Sequence, residues 1–148
     1  MRNFTFNLEK LLEIRGHAEK EKALELAEIT GRYMQIINSI IDLKNKKRNI
    51  MDSRFSSSGN DVSSIIYDES LISAIDRKVS DFENNLIPIN AERENKRLEY
   101  VEALKNKRVI EKLKEKKAQK HKKEEFLRDA RALDDTANSR FVKKLQEV

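Results

Sequence analysis

Few residues in this chain could do chemistry. His17 stands four positions from Glu13 and four from Glu21, a spacing that sets all three on one helix face, where a divalent metal could use them. The same spacing is that of solvated ion pairs along a charged helix, and for a lone trio in so charged a sequence that reading prevails. Asp134 and Asp135 are adjacent, so a helix turns their carboxylates to different sides, which is wrong for a paired general acid and base. There is no cysteine, hence no thiol nucleophile and no sulfur-based zinc site, and there is no glycine-rich loop to cradle a phosphate. The sequence predicts no enzyme, no metal centre and no cofactor.

The strongest chemical signal is charge. From Lys105 to Lys123 there are ten Lys or Arg against two Glu, a local charge of +8, so with a net charge of +5 the rest of the chain sums to −3. At about 100° per residue, Lys105, Arg108, Lys112, Lys116, Lys120 and Lys123 fall within roughly a 120° sector, with Glu111 and Glu115 to one side. Like charges at i and i+4 each oppose helix formation by a few tenths of a kcal/mol, about 0.2–0.5, which acidic groups on a partner would offset. Three readings stay open: a cationic surface for a protein partner, a solvated face, or a nucleic-acid contact. No aromatic is interleaved between 105 and 123 and no recognised binding module is present, which argues against the last.

The elements that must position these residues are helices. The chain's 148 residues suit one domain, and one Pro, three Gly and 39% charged residues leave little material for turns or sheets. Hydrophobic content of 38% is thin for a compact core but suits elongated helices that bury a single stripe. The segment SRFSSSGNDVSS, residues 53–64, crowds Ser, Gly, Asn and Asp between two periodic segments, and Gly59 supplies an easy reversal. Before it, Leu26, Ile29, Tyr33, Ile36, Ile40, Leu43 and Ile50 follow alternating spacings of three and four, interrupted at Lys47. After it, Ile65, Ile72, Ile75, Val79, Phe82, Leu86 and Ile89 do the same, interrupted at Asp68. Both are heptad seams.

The sequence therefore predicts an all-α fold, a long two-helix antiparallel coiled-coil hairpin forming one domain over 1–148. Its first helix covers about residues 6–53, its turn 54–64 and its longer second helix about 65–143. Folding back around Gly59 sets Ile36 level with Phe82 and Leu43 with Ile75, and sets Leu8, Leu11 and Leu12 against Val109, Ile110 and Leu113. About 30 residues past Leu113 would lack a first-arm counterpart and project roughly 45 Å. Pro88 lies inside the second pattern, where its missing N–H predicts a bend near 84–89. Met34, Ile41, Ile66, Tyr67 and Ile87 fall outside the seams, a surplus that suits a partner face or self-association. The longest apolar passage, YMQIINSII at 33–41, is far short of the roughly 20 residues of a membrane span, and MRNFTFNLEK lacks a signal peptide's apolar run. A cytoplasmic address follows, with no membrane insertion.

The opening FTFNLEKLLEIRGHAEKE, with Phe4, Phe6, Leu8, Leu11, Leu12, Arg15 and Glu19, resembles the start of the FliJ family of flagellar type III export proteins. Tyr100, the run EALKNKRVIEKLKEKK and EEFLRDARALDDTANSRF at 124–141 are similar to that family's C-terminal half, Asp135 being a mild departure where Glu is expected. The resemblance covers nearly the whole chain. It implies a non-enzymatic stalk whose end carrying both termini enters the ring of the export ATPase. Other surfaces would engage the cytoplasmic domain of the export gate and the chaperones of late export substrates, at the cytoplasmic side of the inner membrane.

Carried over residue by residue, ATPase contact falls to Phe4, Phe6, Leu8, Leu12 and Arg15, and to Arg108, Lys112, Arg128 and Arg131. Gate or chaperone contact falls to Ile41, Tyr67 and Leu71 beside the tip. Ile40, Leu43 and Ile75 lie near the family's contact region as well, while the seam buries them, so one of the two placements must yield. The residues alone leave two other readings, a nucleic-acid-associated basic coiled coil and a self-assembling structural one.

Overall fold

The computed structural model describes residues 2–56 and 61–148. Two helices account for nearly all of them: α1, Glu9–Ser56, and α2, Val62–Gln146. The described residues contain no strand. The reversal expected at Gly59 falls on residues 57–60, outside the described residues.

Each helix starts where local chemistry allows. Asp61, a residue type favoured at helix starts, accepts hydrogen bonds at its backbone oxygen from the N–H groups of Ser64 and Ile65, at 3.1 and 3.2 Å. This starts α2 three residues earlier than the Ser-rich composition suggests. α1 likewise runs on through Ser56, and the good helix formers Lys144, Leu145 and Gln146 carry α2 to its end at Gln146. At the other end α1 begins at Glu9 rather than near residue 6, the N–H of Leu12 bonding to the Leu8 oxygen at 2.9 Å. Residues 2–6 are non-helical and Asn7 and Leu8 form a turn.

Contacts divide the chain into two units, Glu19–Glu102 and Met1–Ala18 with Ala103–Val148. In the first, the helices run antiparallel around a seam in which Ile29, Ile40, Ile72 and Val79 are buried. Leu26, Tyr33, Ile36, Leu43, Ile75, Phe82 and Leu86 are half-buried along the same line, as expected when only two helices share a stripe. Ile65 is exposed instead, because it lies in the first turns of α2, where every residue from Asp61 to Tyr67 is exposed. The two polar interruptions are answered by ions: Lys47 reaches Asp76 at 2.7 Å, and Arg54 reaches Asp68 at 4.0 Å and Glu69 at 2.8 Å.

The helices pair further along than a fold-back about Gly59 implies. That geometry would set Lys47 level with Leu71, whereas its partner is Asp76. Side chains lean toward the N-terminus of their own helix, which moves contacts in this direction. Even so, Leu43 shares one groove with Phe82 and another with Ile75, so it sits between them and about one turn from the predicted level. Nearer the far end of this unit the apolar seam thins, and four charges alternate across it. Lys96 bonds Glu25 at 3.0 Å, Lys22 bonds Glu99 at 3.2 Å and Glu25 at 3.3 Å, and Lys96 lies 3.6 Å from Glu99. The Lys96 and Lys22 bonds hold the Glu25 carboxyl below its ordinary range. Glu99 and Glu25 raise Lys22, and Glu25 raises Lys96. Arg93 also stacks 4.1 Å from the Tyr33 ring centre.

α2 runs through Pro88 without interruption. The residue and Asn84, whose carbonyl loses its usual donor, are both exposed, so water can serve the freed group.

Candidate functional site

The unit that carries both termini is the centre of the charge signal. Ile110 is buried and Leu113 half-buried against the start of α1, but Val109 is 62% exposed, correcting its expected place in the core. The reason is angular: Ile110 lies about 100° further round α2, and a single flanking helix cannot cover both. Lys114 closes this pairing on Glu9 at 2.7 Å, and the Arg15 guanidinium donates to the Asn106 carbonyl at 2.9 Å.

Beyond the start of α1 the chain continues as an extended strap. Phe6 is 9% exposed with Lys117 Nζ 5.8 Å from its ring centre, and the Phe4 ring lies 5.7 Å from that of His121. The match is metric: two extended residues span about 6.6 Å, and four helical residues about 6 Å, so Phe4 and Phe6 meet successive turns of α2. Arg2, Asn3, Phe4 and Thr5 line a shallow pocket with Lys117, Lys120, His121 and Glu124. Contact with the N-terminal part therefore reaches Glu124 rather than stopping at Leu113. The free stretch shortens to Phe126–Gln146, about 32 Å of helix.

The predicted ATPase contacts separate into two groups here. Phe6 is buried, and Phe4, Leu8, Leu12 and Arg15 are half-buried, so these five hold the unit together. Arg108, Lys112, Arg128 and Arg131 are exposed. Lys105, Arg108, Lys112, Lys116 and Lys123 make no ion pair or hydrogen bond with described residues. Lys120 has only a 3.9 Å approach to Glu124.

Of the residues assigned to the tip, Ile41 and Tyr67 are exposed. Leu71 is half-buried and lines an apolar groove with Leu43, Ile50, Ala74 and Ile75, rimmed by Lys46, Asn49 and Lys78. Ile40 is buried. Leu43 and Ile75 are half-buried seam residues whose edges also line this groove.

Glu13, His17 and Glu21 are all exposed, and among the described residues no group of His, Cys, Asp or Glu could hold a metal ion. Asp134 and Asp135 are likewise exposed. No described helix is long and apolar enough to cross a membrane. Sequence reasoning missed the strap, although the alternation Phe4-Thr5-Phe6 is a period-two signal for extended chain. It also missed the exposed apolar residues Phe126, Leu127, Leu133, Phe141 and Leu145 on the free part of α2.

Against known proteins, a family model described as Flagellar FliJ protein matches residues 4–146. No curated protein and no solved structure matches.

Proposed function

The chain belongs to the flagellar FliJ protein family, components of the flagellar type III export apparatus, and from that premise we propose that it is the non-enzymatic stalk of that apparatus. In this reading the unit carrying both termini binds the export ATPase ring. The observation that supports it most is the row of exposed cations without ion pairs on α2 in that terminal unit. Such charges cost helix stability and give it back when carboxylates of a partner meet them.

Arg108 and Lys112 are the proposed primary contacts; Arg128 and Arg131, also carried over as contacts, lie about 24–29 Å further along α2 than Lys112 and are turned toward the side in line with α1. Phe4, Phe6, Leu8, Leu12 and Arg15 act indirectly, by fixing the strap and the start of α1 on α2. The groove around Leu71, with Ile41 and Tyr67 elsewhere near the tip, is the proposed surface for the cytoplasmic domain of the export gate or for late-substrate chaperones. The protein works at the cytoplasmic side of the membrane as a peripheral component.

Charge reversal tests the terminal assignment. Arg108→Glu with Lys112→Glu should weaken binding to the export ATPase at least tenfold and leave helicity by circular dichroism unchanged. Unaltered binding would remove both residues from the contact.

A further inference from the structure

The exposed apolar residues of free α2 could be a mere continuation of the hairpin seam beyond the reach of α1. The helical phase says otherwise. With Lys105 as origin and about 100° per residue, the residues that pack toward α1 and the strap, Ile110, Leu113, Lys114, Lys117 and His121, fall between roughly 80° and 180°. The six basic residues from Lys105 to Lys123 fall between roughly −60° and 60°, on the opposite side, and exposed Val109 is among them. Phe126, Leu127, Leu133, Ala137, Phe141 and Leu145 fall between roughly −80° and 40°, and every one of them is exposed. The side of this stretch that continues the α1 line carries Arg128, Arg131, Asp135, Ser139 and Gln146 instead, with Val142 its one large apolar residue. The seam thus ends in polar residues, and a separate apolar face opens on the outer side of α2.

We infer that the outer face of α2 from Lys105 to Leu145 is one composite docking surface, taken by a protein partner that offers carboxylates along one half and an apolar groove along the other. The cationic half runs about 27 Å and the apolar half about 28 Å, end to end on one helix. Phe126 is 73%, Leu133 71% and Phe141 64% exposed, so the apolar half is available without rearrangement.

The occupant follows from charge. A second copy laid parallel would set cations on cations, and one laid antiparallel would set cations on apolar side chains, so the face is not self-complementary. An anionic lipid surface suits the cationic half, but Asp134 falls at about 20°, in the middle of the apolar half, and would carry a carboxylate into the acyl region. A protein groove can answer that carboxylate with a single donor while burying the flanking apolar side chains.

The inference rests on the stalk reading, with the export ATPase as the partner to test. The full-length protein is titrated into that ATPase as wild type, as Leu133→Asp with Phe141→Asp, and as Ser139→Asp with Gln146→Asp. The last pair adds the same charge to the side in line with α1. Wild-type binding that weakens at least tenfold in the outer pair and less than twofold in the other supports the composite face. Equal effects of the two pairs, with wild-type binding intact, overturn this inference and leave the stalk reading standing. Absence of wild-type binding to a competent ATPase overturns both. Protection of Phe126 and Phe141 from hydroxyl-radical oxidation in the complex is the second readout, and unprotected rings in a formed complex would contradict the proposal.

Discussion

Replacing Phe6 by Ala decides whether this ring is a partner contact or the anchor of the terminal unit. Phe6 is 9% exposed, and full burial of such a side chain contributes about 1.5–3 kcal/mol. Lys117 lies 5.8 Å from its ring centre, near the outer limit of a cation–π contact, which adds about 0.5 kcal/mol at a solvated site. The strap is extended and makes no helical hydrogen bonds of its own to offset the loss. Removing the ring should therefore cost about 2–3 kcal/mol, a roughly 30- to 150-fold rise in the opening constant of this end. Native-state amide exchange reads this locally: protection should fall by that factor at residues 9–15 and 113–121 and stay unchanged at residues 36–43 and 72–82. Lys117→Ala should show a coupling with Phe6→Ala of about 0.5 kcal/mol in a double-mutant cycle. Exchange that moves less than threefold at both terminal stretches would refute the anchoring role and return Phe6 to the set of free contacts.

The remaining expectations are of the same kind. Ile72→Ala should destabilise by about 2–4 kcal/mol in chemical denaturation, whereas Val109→Ala should change stability by less than about 0.5 kcal/mol. Gly31→Ala should stabilise by about 1 kcal/mol, since an added Cβ meets nothing within 4 Å; a loss measured by thermal melting would contradict this. The four-charge network sets a pH window. Glu25 is depressed, so its contribution is present above the ordinary carboxylate range and is lost as pH falls through its lowered value. Lys22 and Lys96 are raised, so theirs are present below the ordinary lysine range and are lost as pH rises through their raised values. The Tm difference between wild type and Glu25→Gln should be greatest between about pH 6 and 9 and vanish in acid, whereas a pH-independent difference would mean the ions contribute nothing.

The hairpin was legible in the sequence because its seams obey one spacing rule. Ile29, Ile40, Ile72 and Val79 appear at heptad positions in the letters and are buried in the fold. What escaped lay where that rule stops deciding. Val109 and Ile110 are adjacent apolar residues beside the same helix, and only angular placement against α1 tells which one packs. Ile65 keeps the seam spacing but falls in the exposed start of α2. The strap was hidden by its neighbours: LEKLLEIR is strongly helical, and the two-residue period of Phe4 and Phe6 is too short to outweigh it. The basic residues were all identified from the sequence. Their lack of partners needed coordinates, because lysines at similar spacings, such as Lys107 and Lys114, do find Glu111 and Glu9.

The central claim is that this protein is the stalk of an export ATPase, and the most direct measurement is titration of the full-length chain into the flagellar export ATPase of its own source, following binding and ATP turnover at moderate salt. The account predicts saturable binding with stimulated turnover, weakened by rising salt because the contact is cationic. No binding and no stimulation, with the ATPase shown to be competent, would contradict it.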